Sequence, residues 1–241
     1  MAQSEPTALV PAYTLRRSTR RRRTIEISID PAAGVIVAAP ARAAQHEIDA
    51  FVRRKARWIR KALDDAHRRR AHVQRQFVTG EPLPYLDETL RLVVVEGEGA
   101  RPRGRRTGDA LIVSVAPGDA RGRREAIVRA LEGWYRARAR EVLSRRVAHF
   151  APVVRVSPSG VRVKSQKTRW GSCGKNGRLH FNWHLMLAPA RVLDYLVVHE
   201  LCHLRERGHG RRFWGLVGEG LPGYAECEAE LRRDGWSYRL S

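Results

Sequence analysis

The sequence is poor in cysteine and contains no long apolar run. Its 241 residues include three cysteines, Cys173, Cys202 and Cys227, which are too few and too widely spaced to form a disulfide framework. No apolar stretch approaches the roughly eighteen residues that a membrane-spanning helix needs. Residues 1–23 also lack the apolar segment of a secretory signal. We therefore expect a cytoplasmic protein with neither a disulfide scaffold nor a transmembrane segment.

Acidic residues are scarce compared with basic ones. Asp and Glu number 25 against 46 Lys and Arg, which gives a formal net charge of +21. Such an excess is typical of proteins that bind polyanions such as nucleic acid, the ribosome or anionic lipid. Only five of the basic residues are lysine, however, and the arginines are spread along the whole chain, which a bias in genome composition also produces. Both explanations stay open.

The densest run of positive charge lies between Arg16 and Arg23. A run of this kind is the best local candidate for contacts with phosphate groups. It supplies four candidate nucleic-acid contacts: Arg20, Arg21, Arg22 and Arg23.

Composition and apolar periodicity divide the chain into three parts. Residues 1–12 are small and polar, and we expect them to form a disordered tail. Residues 13–118 are expected to form a β-rich N-terminal part with one basic helix at about 46–73. The strands of this part are predicted at 25–29, 35–39, 90–95 and 110–116, with a turn at Pro82 and Pro84 and a loop from Gly97 to Gly104.

Residues 119–241 are predicted to form the catalytic part. Apolar residues recur at helical spacing from the start of this part to about Phe150. A β-hairpin is predicted between residues 161 and 183, with Asn176-Gly177 as its tight turn. Pro189 suits the first turn of the helix that follows, because its fixed φ and missing N–H are tolerated there.

The most informative stretch runs from His199 to His209. His199 and His203 are four residues apart, so a helix presents both imidazoles on one face to a single ion. Glu200 follows the first ligand, where its carboxylate reaches a metal-bound water rather than the metal, as in metal-activated hydrolases. Gly208 can end the helix in a left-handed conformation and let His209 return as the third ligand. Three protein ligands and one open position are typical of catalytic zinc.

Acidic residues further along the chain are the alternative source of the third ligand. Glu226, Glu228 and Glu230 lie on a predicted helix, and some zinc hydrolases take an acidic ligand from such a place. We favour His209, because it directly follows a helix-stopping glycine and because the three glutamates are explained as the solvated face of a surface helix.

These residues resemble the bacterial YgjP-like zinc metallopeptidases, relatives of the SprT-like and Wss1-like proteases. The resemblance covers roughly Tyr13 to Arg239. It rests on Arg169-Trp170-Gly171-Ser172-Cys173, on Asn182 with Leu185 and Pro189, on Asp194-Tyr195 with His199-Glu200-Leu201-Cys202-His203, and on His209 followed by Phe213-Trp214. It implies an α+β, zincin-like fold, in which a mixed β-sheet lies beside an active-site helix that carries the HExxH motif.

The resemblance also implies an activity. The ligands carry over to His199, His203 and His209, and the general base carries over to Glu200. The implied reaction is hydrolysis of a peptide bond in a protein or peptide substrate by a zinc-bound water. The expected protein is thus a zinc metallopeptidase, most simply an endopeptidase.

Further candidates surround this core. Arg169, His184 and Tyr224 are candidates for contacts with the substrate or the transition state. The thiolate of Cys173 could occupy the open zinc position and hold the enzyme latent. A different class of function also stays open: a nucleic-acid-associated binding protein with a structural zinc site and an Arg-rich surface. Glu200 distinguishes the two functions, because a structural zinc site binds no water and has no use for an acidic residue placed to contact one.

Overall fold

The computed structural model describes residues 11–19, 21, 23–30, 34–72, 75–97, 102–166 and 169–240. The chain divides into two compact units, Met1–Gln74 and Arg75–Ser241. Most of the predicted tail at 1–12 lies outside the described residues. The predicted boundary between 118 and 119 differs from this division, because the strands that precede residue 119 pack on the long helix that follows it.

The first unit contains a three-stranded mixed sheet. Its strands are β1 (Thr14–Ser18), β2 (Glu26–Asp30) and β3 (Gly34–Pro40), in the order β1-β3-β2. The strands predicted at 25–29 and 35–39 are confirmed as β2 and β3, which pair antiparallel with Ile27 opposite Val37. β1 pairs parallel to β3 and was not predicted, because its sequence Thr-Leu-Arg-Arg-Ser has one apolar residue and no alternation.

Two helices cover this sheet where one had been predicted. They are α1 (Gln45–Arg54) and α2 (Ala56–His72). The helix is interrupted at Lys55, although the Ile59 N–H still donates to the Lys55 carbonyl at 2.9 Å. The small core of the unit is built from fully or nearly fully buried side chains of β3, α1 and α2: Val35, Val37, Ala39, Ile48, Val52 and Ile59.

The second unit begins with a four-stranded sheet. Its strands are β4 (Pro82–Tyr85), β5 (Glu88–Glu96), β6 (Arg103–Thr107) and β7 (Ala110–Val115), in the order β4-β5-β7-β6. β5 and β7 confirm the two predicted strands and pair in parallel. The predicted turn at Pro82 and Pro84 is wrong: both lie in β4, at the sheet edge, where the missing N–H of proline is tolerated. β6 replaces part of the predicted loop.

The long helix α3 (Ala120–Val154) packs on this sheet. It begins at the predicted place, where the Asp119 carboxylate accepts from the Gly122 N–H at 2.7 Å, and it extends four residues beyond Phe150. β6 crosses α3 at Gly104, where a Cβ would lie 2.9 Å from the Cβ of Trp134. Only glycine allows so close an approach.

A second three-stranded sheet precedes the motif helix. Its strands are β8 (Gly160–Lys164), β9 (Gly171–Cys173) and β10 (Arg178–Asn182), in the order β8-β10-β9. β9 and β10 form a hairpin around Asn176-Gly177, and β8 lies parallel to β10 on its other side. Trp183, predicted as a strand residue, instead opens a 3₁₀ helix that ends at Leu187.

The remaining elements are α-helical. They are α4 (Ala190–Cys202), α5 (Arg211–Gly220) and α6 (Tyr224–Asp234), followed by a short 3₁₀ turn at Gly235–Ser237. The predicted α+β class with mixed sheets is confirmed. Among the described residues, no helix has the length and apolarity required to cross a bilayer.

Candidate metal centre

Helix α4 carries the histidine motif through the core of the second unit. Val197, Val198 and Leu201 are completely buried. Pro189 directly precedes the helix, and the first helical N–H, that of Ala190, donates to Asp87 Oδ1 at 3.0 Å. The motif is therefore anchored on a rigid, buried element.

A buried ion pair steadies the same helix. Asp194 is 9% exposed and accepts two hydrogen bonds from the guanidinium of Arg146 on α3, one of them at 2.5 Å from Nε to Oδ1. The paired hydrogen bonds compensate for the cost of burying the carboxylate. They also fix α4 against α3, one turn before His199.

The structure brings three histidines together. Among the described residues, one ligand atom from each of His199, His203 and His209 lies within 4.8 Å of the other two. The Nε2 atoms of His199 and His209 are 3.2 Å apart. His199 and His203 are partly buried and His209 is exposed. Three nitrogen donors thus lie close together near the C-terminal end of a buried helix.

The path of the chain to His209 differs from the prediction. α4 ends at Cys202, with His203 as its C-cap residue, rather than continuing to Gly208. Gly208 has no positive φ, so no left-handed glycine stops the helix. The chain leaves through a turn after Cys202 in which the Glu206 N–H donates to the Cys202 carbonyl at 2.9 Å. His209 still reaches the other two histidines.

Neighbouring groups orient two of the imidazoles. His203 Nδ1 lies 3.1 Å from the Glu206 carbonyl oxygen, and His199 Nδ1 lies 3.5 Å from the Tyr195 hydroxyl. With Nδ1 engaged in this way, each ring turns Nε2 toward the cluster. Outer partners of this kind fix the tautomer of metal-binding histidines. Phe213 adds a packing surface, with its ring 4.6 Å from that of His203.

Burial keeps these imidazoles neutral. The pKa of His199 is lowered to about 3, chiefly by burial and in smaller part by the positive forms of His203 and His209. Burial also lowers the pKa of His203. Near pH 7 both rings therefore offer a free lone pair, which is the form that binds a metal ion.

Glu200 is buried beside the histidines. It is 4% exposed, and its Oε2 has no hydrogen-bond partner among the described residues. Burial raises the pKa of Glu200 to about 8, and the positive charge of Arg169 partly opposes this rise. An unpartnered carboxylate oxygen in the core is costly unless it has a function or a ligand.

Gly171 makes room for this carboxylate, a role that the sequence reasoning missed. A Cβ at position 171 would lie 2.5 Å from Glu200 Oε1, so a larger residue in β9 at this point would displace the Glu200 carboxylate. The signal that could have revealed it is a glycine inside a short strand, which often marks the close approach of another group.

The three candidate substrate contacts occupy different surroundings. Arg169 is exposed and close enough to Glu200 to influence its pKa. The Tyr224 ring stacks on Trp214 at 5.4 Å, and Trp214 lies 5.9 Å from both His199 and His209. Arg169 and Tyr224 therefore lie near the centre.

His184, in contrast, is engaged by neighbours in the sequence. Its Nδ1 lies 2.9 Å from Asn182 Oδ1, and its ring stacks on Trp183 at 3.8 Å. Burial lowers its pKa to about 4. None of its described contacts is with the three histidines.

The alternative acidic ligands have other partners. Glu230 is buried, against the expectation of a solvated face, because Arg191 and Tyr238 donate hydrogen bonds to its two oxygens. Glu228 pairs with Arg232, and Glu226 is exposed. None of the three belongs to the described cluster of possible metal ligands. This favours His209 as the third ligand.

Cys173 and the arginine run lie outside this cluster. The Cys173 thiol lies 3.6 Å from the Gly174 carbonyl oxygen, and burial raises its pKa. In the run, Arg20 and Arg22 lie outside the described residues, Arg23 is exposed, and Arg21 forms an ion pair with Glu26 at 2.7 Å. Arg21 therefore has an acidic partner within its own unit.

Comparison with known proteins gives one strong match. Residues 23–234, nearly the whole chain, match the family described as YgjP-like, metallopeptidase domain. No match was found among curated proteins. Among solved structures, the metallopeptidase zymogen of Pyrococcus abyssi abylysin is 21% identical with a TM-score of 0.35, covering 37% of this chain and 90% of that chain. A likeness this weak adds nothing to the assignment.

Proposed function

Because the chain belongs to the YgjP-like metallopeptidase family, we propose that it is a zinc-dependent peptidase that cleaves internal peptide bonds of protein substrates. Membership implies a metal ion and a peptide or protein substrate. Zinc, the endopeptidase mode and the residue roles are our inference. His199, His203 and His209 would hold the metal, and Glu200 would act as the general base. The expected cytoplasmic location remains a prediction.

The observation that carries this proposal is the convergence of three imidazoles beside the buried, unpartnered Oε2 of Glu200. Neutral imidazole nitrogens are among the preferred ligands of zinc. Three donors match the number that catalytic zinc sites use, and they leave a position for water or substrate. The residues present therefore fit the ion that the family implies.

Zinc bound by these residues would supply Lewis-acid chemistry, acidifying a water molecule and polarising the carbonyl group of the scissile bond. Glu200 would accept the proton of the attacking water at Oε2 and pass it to the nitrogen of the leaving amine. Burial favours the protonated form of Glu200, while a nearby cation favours the ionised form. Burial outweighs Arg169 in the metal-free protein, and the charge of a bound ion would favour the ionised form that accepts the proton. Arg169 and Tyr224 are the better-placed candidates for stabilising the oxyanion.

A nucleic-acid-associated protein with a purely structural zinc site is less well supported. Structural zinc sites use four protein ligands, whereas the cluster among the described residues offers three. A structural site also gives no reason to bury Glu200 with one oxygen unpartnered.

The proposal is tested by measuring zinc and proteolysis on the same samples. Wild type and Glu200→Gln are purified, their zinc content is measured by mass spectrometry, and cleavage of casein is assayed. We expect about one zinc per chain in both proteins, and at least ~100-fold slower cleavage by Glu200→Gln, as for loss of a general base. Equal cleavage by the two proteins would contradict the role of Glu200. Zinc-loaded wild type that cleaves no protein substrate would contradict the peptidase itself.

A further inference from the structure

Helix α2 presents a half-exposed tryptophan on a basic surface of the first unit. Trp58 is 50% exposed. Lys61 lies about one helical turn after it on α2, and three further cations lie just before it: Arg57 on α2, Lys55 at the break between the helices, and Arg54 at the end of α1. We call these five residues the Trp58 patch.

The cations of this patch have no acidic partners in the described structure. All four side chains are exposed, and no carboxylate among the described side chains lies within 4 Å of them. Many arginines of α3 are paired instead, as Arg123 is with Glu96 at 2.8 Å. The described side chains therefore leave the positive charge of the Trp58 patch without a neutralising partner.

Packing does not explain the tryptophan. The core of the first unit is filled by residues such as Ile48, Val52 and Ile59, and Trp58 is not among the described side chains that pack against it. A half-exposed indole with several cations close to it in the chain has the two components of a surface that binds single-stranded nucleic acid, a stacking platform and a positive charge.

We propose that the Trp58 patch binds single-stranded nucleic acid. Its cations would contact backbone phosphates, and the exposed indole would stack on a base. At the rise of an α-helix, about 9 Å separate Lys61 from Lys55, which directly precedes α2. Stacking on one ring does not depend on sequence, so the contact would be tolerant of the base.

A membrane surface fits this patch less well. Helices that lie in a membrane interface insert a whole apolar face. The apolar face of α1 and α2 is already buried in the core of the unit, through Ile48, Val52 and Ile59. One exposed ring is enough to stack on a base but supplies little area for insertion.

Binding is tested by fluorescence anisotropy with end-labelled 12-nucleotide oligo(dT) and oligo(U) and the full chain. We expect Trp58→Ala to bind about tenfold more weakly, within the range measured for loss of one stacked base. Trp58→Phe, which keeps an aromatic face, should stay within about threefold of wild type. Glu200→Gln should bind as wild type does, because Glu200 is not one of the residues of the patch.

Two double variants with the same net charge distinguish the contribution of the patch from that of the overall charge of the protein. Arg57→Glu/Lys61→Glu should weaken binding strongly, whereas Arg103→Glu/Arg105→Glu on β6, which changes the net charge equally at exposed positions, should weaken it much less. Equal losses in the two double variants would overturn the proposal, as would unchanged binding by Trp58→Ala. Trp58-dependent binding to phosphatidylserine vesicles without binding to either oligonucleotide would assign the patch to membranes instead.

Discussion

The metal centre and the Trp58 patch hold their charged groups in opposite ways. Glu200 is 4% exposed, and a Cβ on the neighbouring Gly171 would overlap it. The four cations of the patch lie in solvent without described acidic partners. A buried group is held in place by close packing, so a small displacement of its atoms has a large effect on the energy of the site. Exposed charges are screened and mobile, so each one contributes little free energy to binding or stability. Their effect on a partner comes from several charges acting together.

The largest effect is expected at His209, the proposed third ligand. His209→Ala should bind zinc more than about 100-fold more weakly, because losing even an outer partner of a ligand costs about 10- to 100-fold. Proteolysis should be lost with the metal. Zinc affinity is measured by competition with a chromophoric chelator.

The matched control for His209 is Glu226→Gln. Glu226 is exposed on α6 and lies outside the histidine cluster, so this variant should keep the zinc affinity of wild type. A His209→Ala protein with full zinc content and activity would instead return the third ligand to one of the glutamates. It would also show that His209, although it lies beside His199 and His203, contributes no more to zinc binding than an exposed residue elsewhere.

A smaller effect is expected from one added methyl group. Gly171→Ala places a Cβ 2.5 Å from the present position of Glu200 Oε1, so the carboxylate must move. A displacement of about 1 Å near the reacting atoms can reduce the rate about 100-fold. We expect slower casein cleavage with zinc content unchanged, since the three histidines are not displaced.

Gly133→Ala is the control for this substitution. Gly133 lies inside α3, and a Cβ added there would have no neighbouring atom within 4 Å. Alanine there should raise the free energy of unfolding by about 0.5–1 kcal/mol and leave cleavage unchanged. If Gly171→Ala also cleaved at the wild-type rate, the close contact with Glu200 would have no bearing on catalysis.

The sequence predicted the parts of the centre that are local. His199, Glu200 and His203 follow from helical spacing, and the hairpin around Asn176-Gly177 follows from turn chemistry. The α+β class followed from the resemblance. Each of these depends on residues that are close together in the chain.

The parts that depend on distant contacts were missed. β1 and β6 have too little apolar alternation to be recognised without their partner strands. The burial of Glu230 requires Arg191 from another helix. The space that Gly171 leaves for Glu200 exists only after β9 has packed against α4. Periodicity within a segment carries no information about such neighbours.

The smallest predicted effect is a gain in stability, and it comes from a substitution in the Trp58 patch. Arg57 and Lys61 are four residues apart on α2, where two like charges destabilise a helix slightly. Arg57→Glu turns them into a favourable pair, with the acidic residue nearer the N-terminus, and should raise the free energy of unfolding by about 0.3–0.5 kcal/mol. Urea unfolding followed by circular dichroism measures this change, and Arg57→Gln serves as the control that removes the repulsion without adding a pair. At the metal centre the substitutions are expected to reduce function, whereas here the fold would gain stability while nucleic-acid binding weakened. A loss of stability in Arg57→Glu would mean that Arg57 supports the first unit itself, and the contrast between the two regions would disappear at that position.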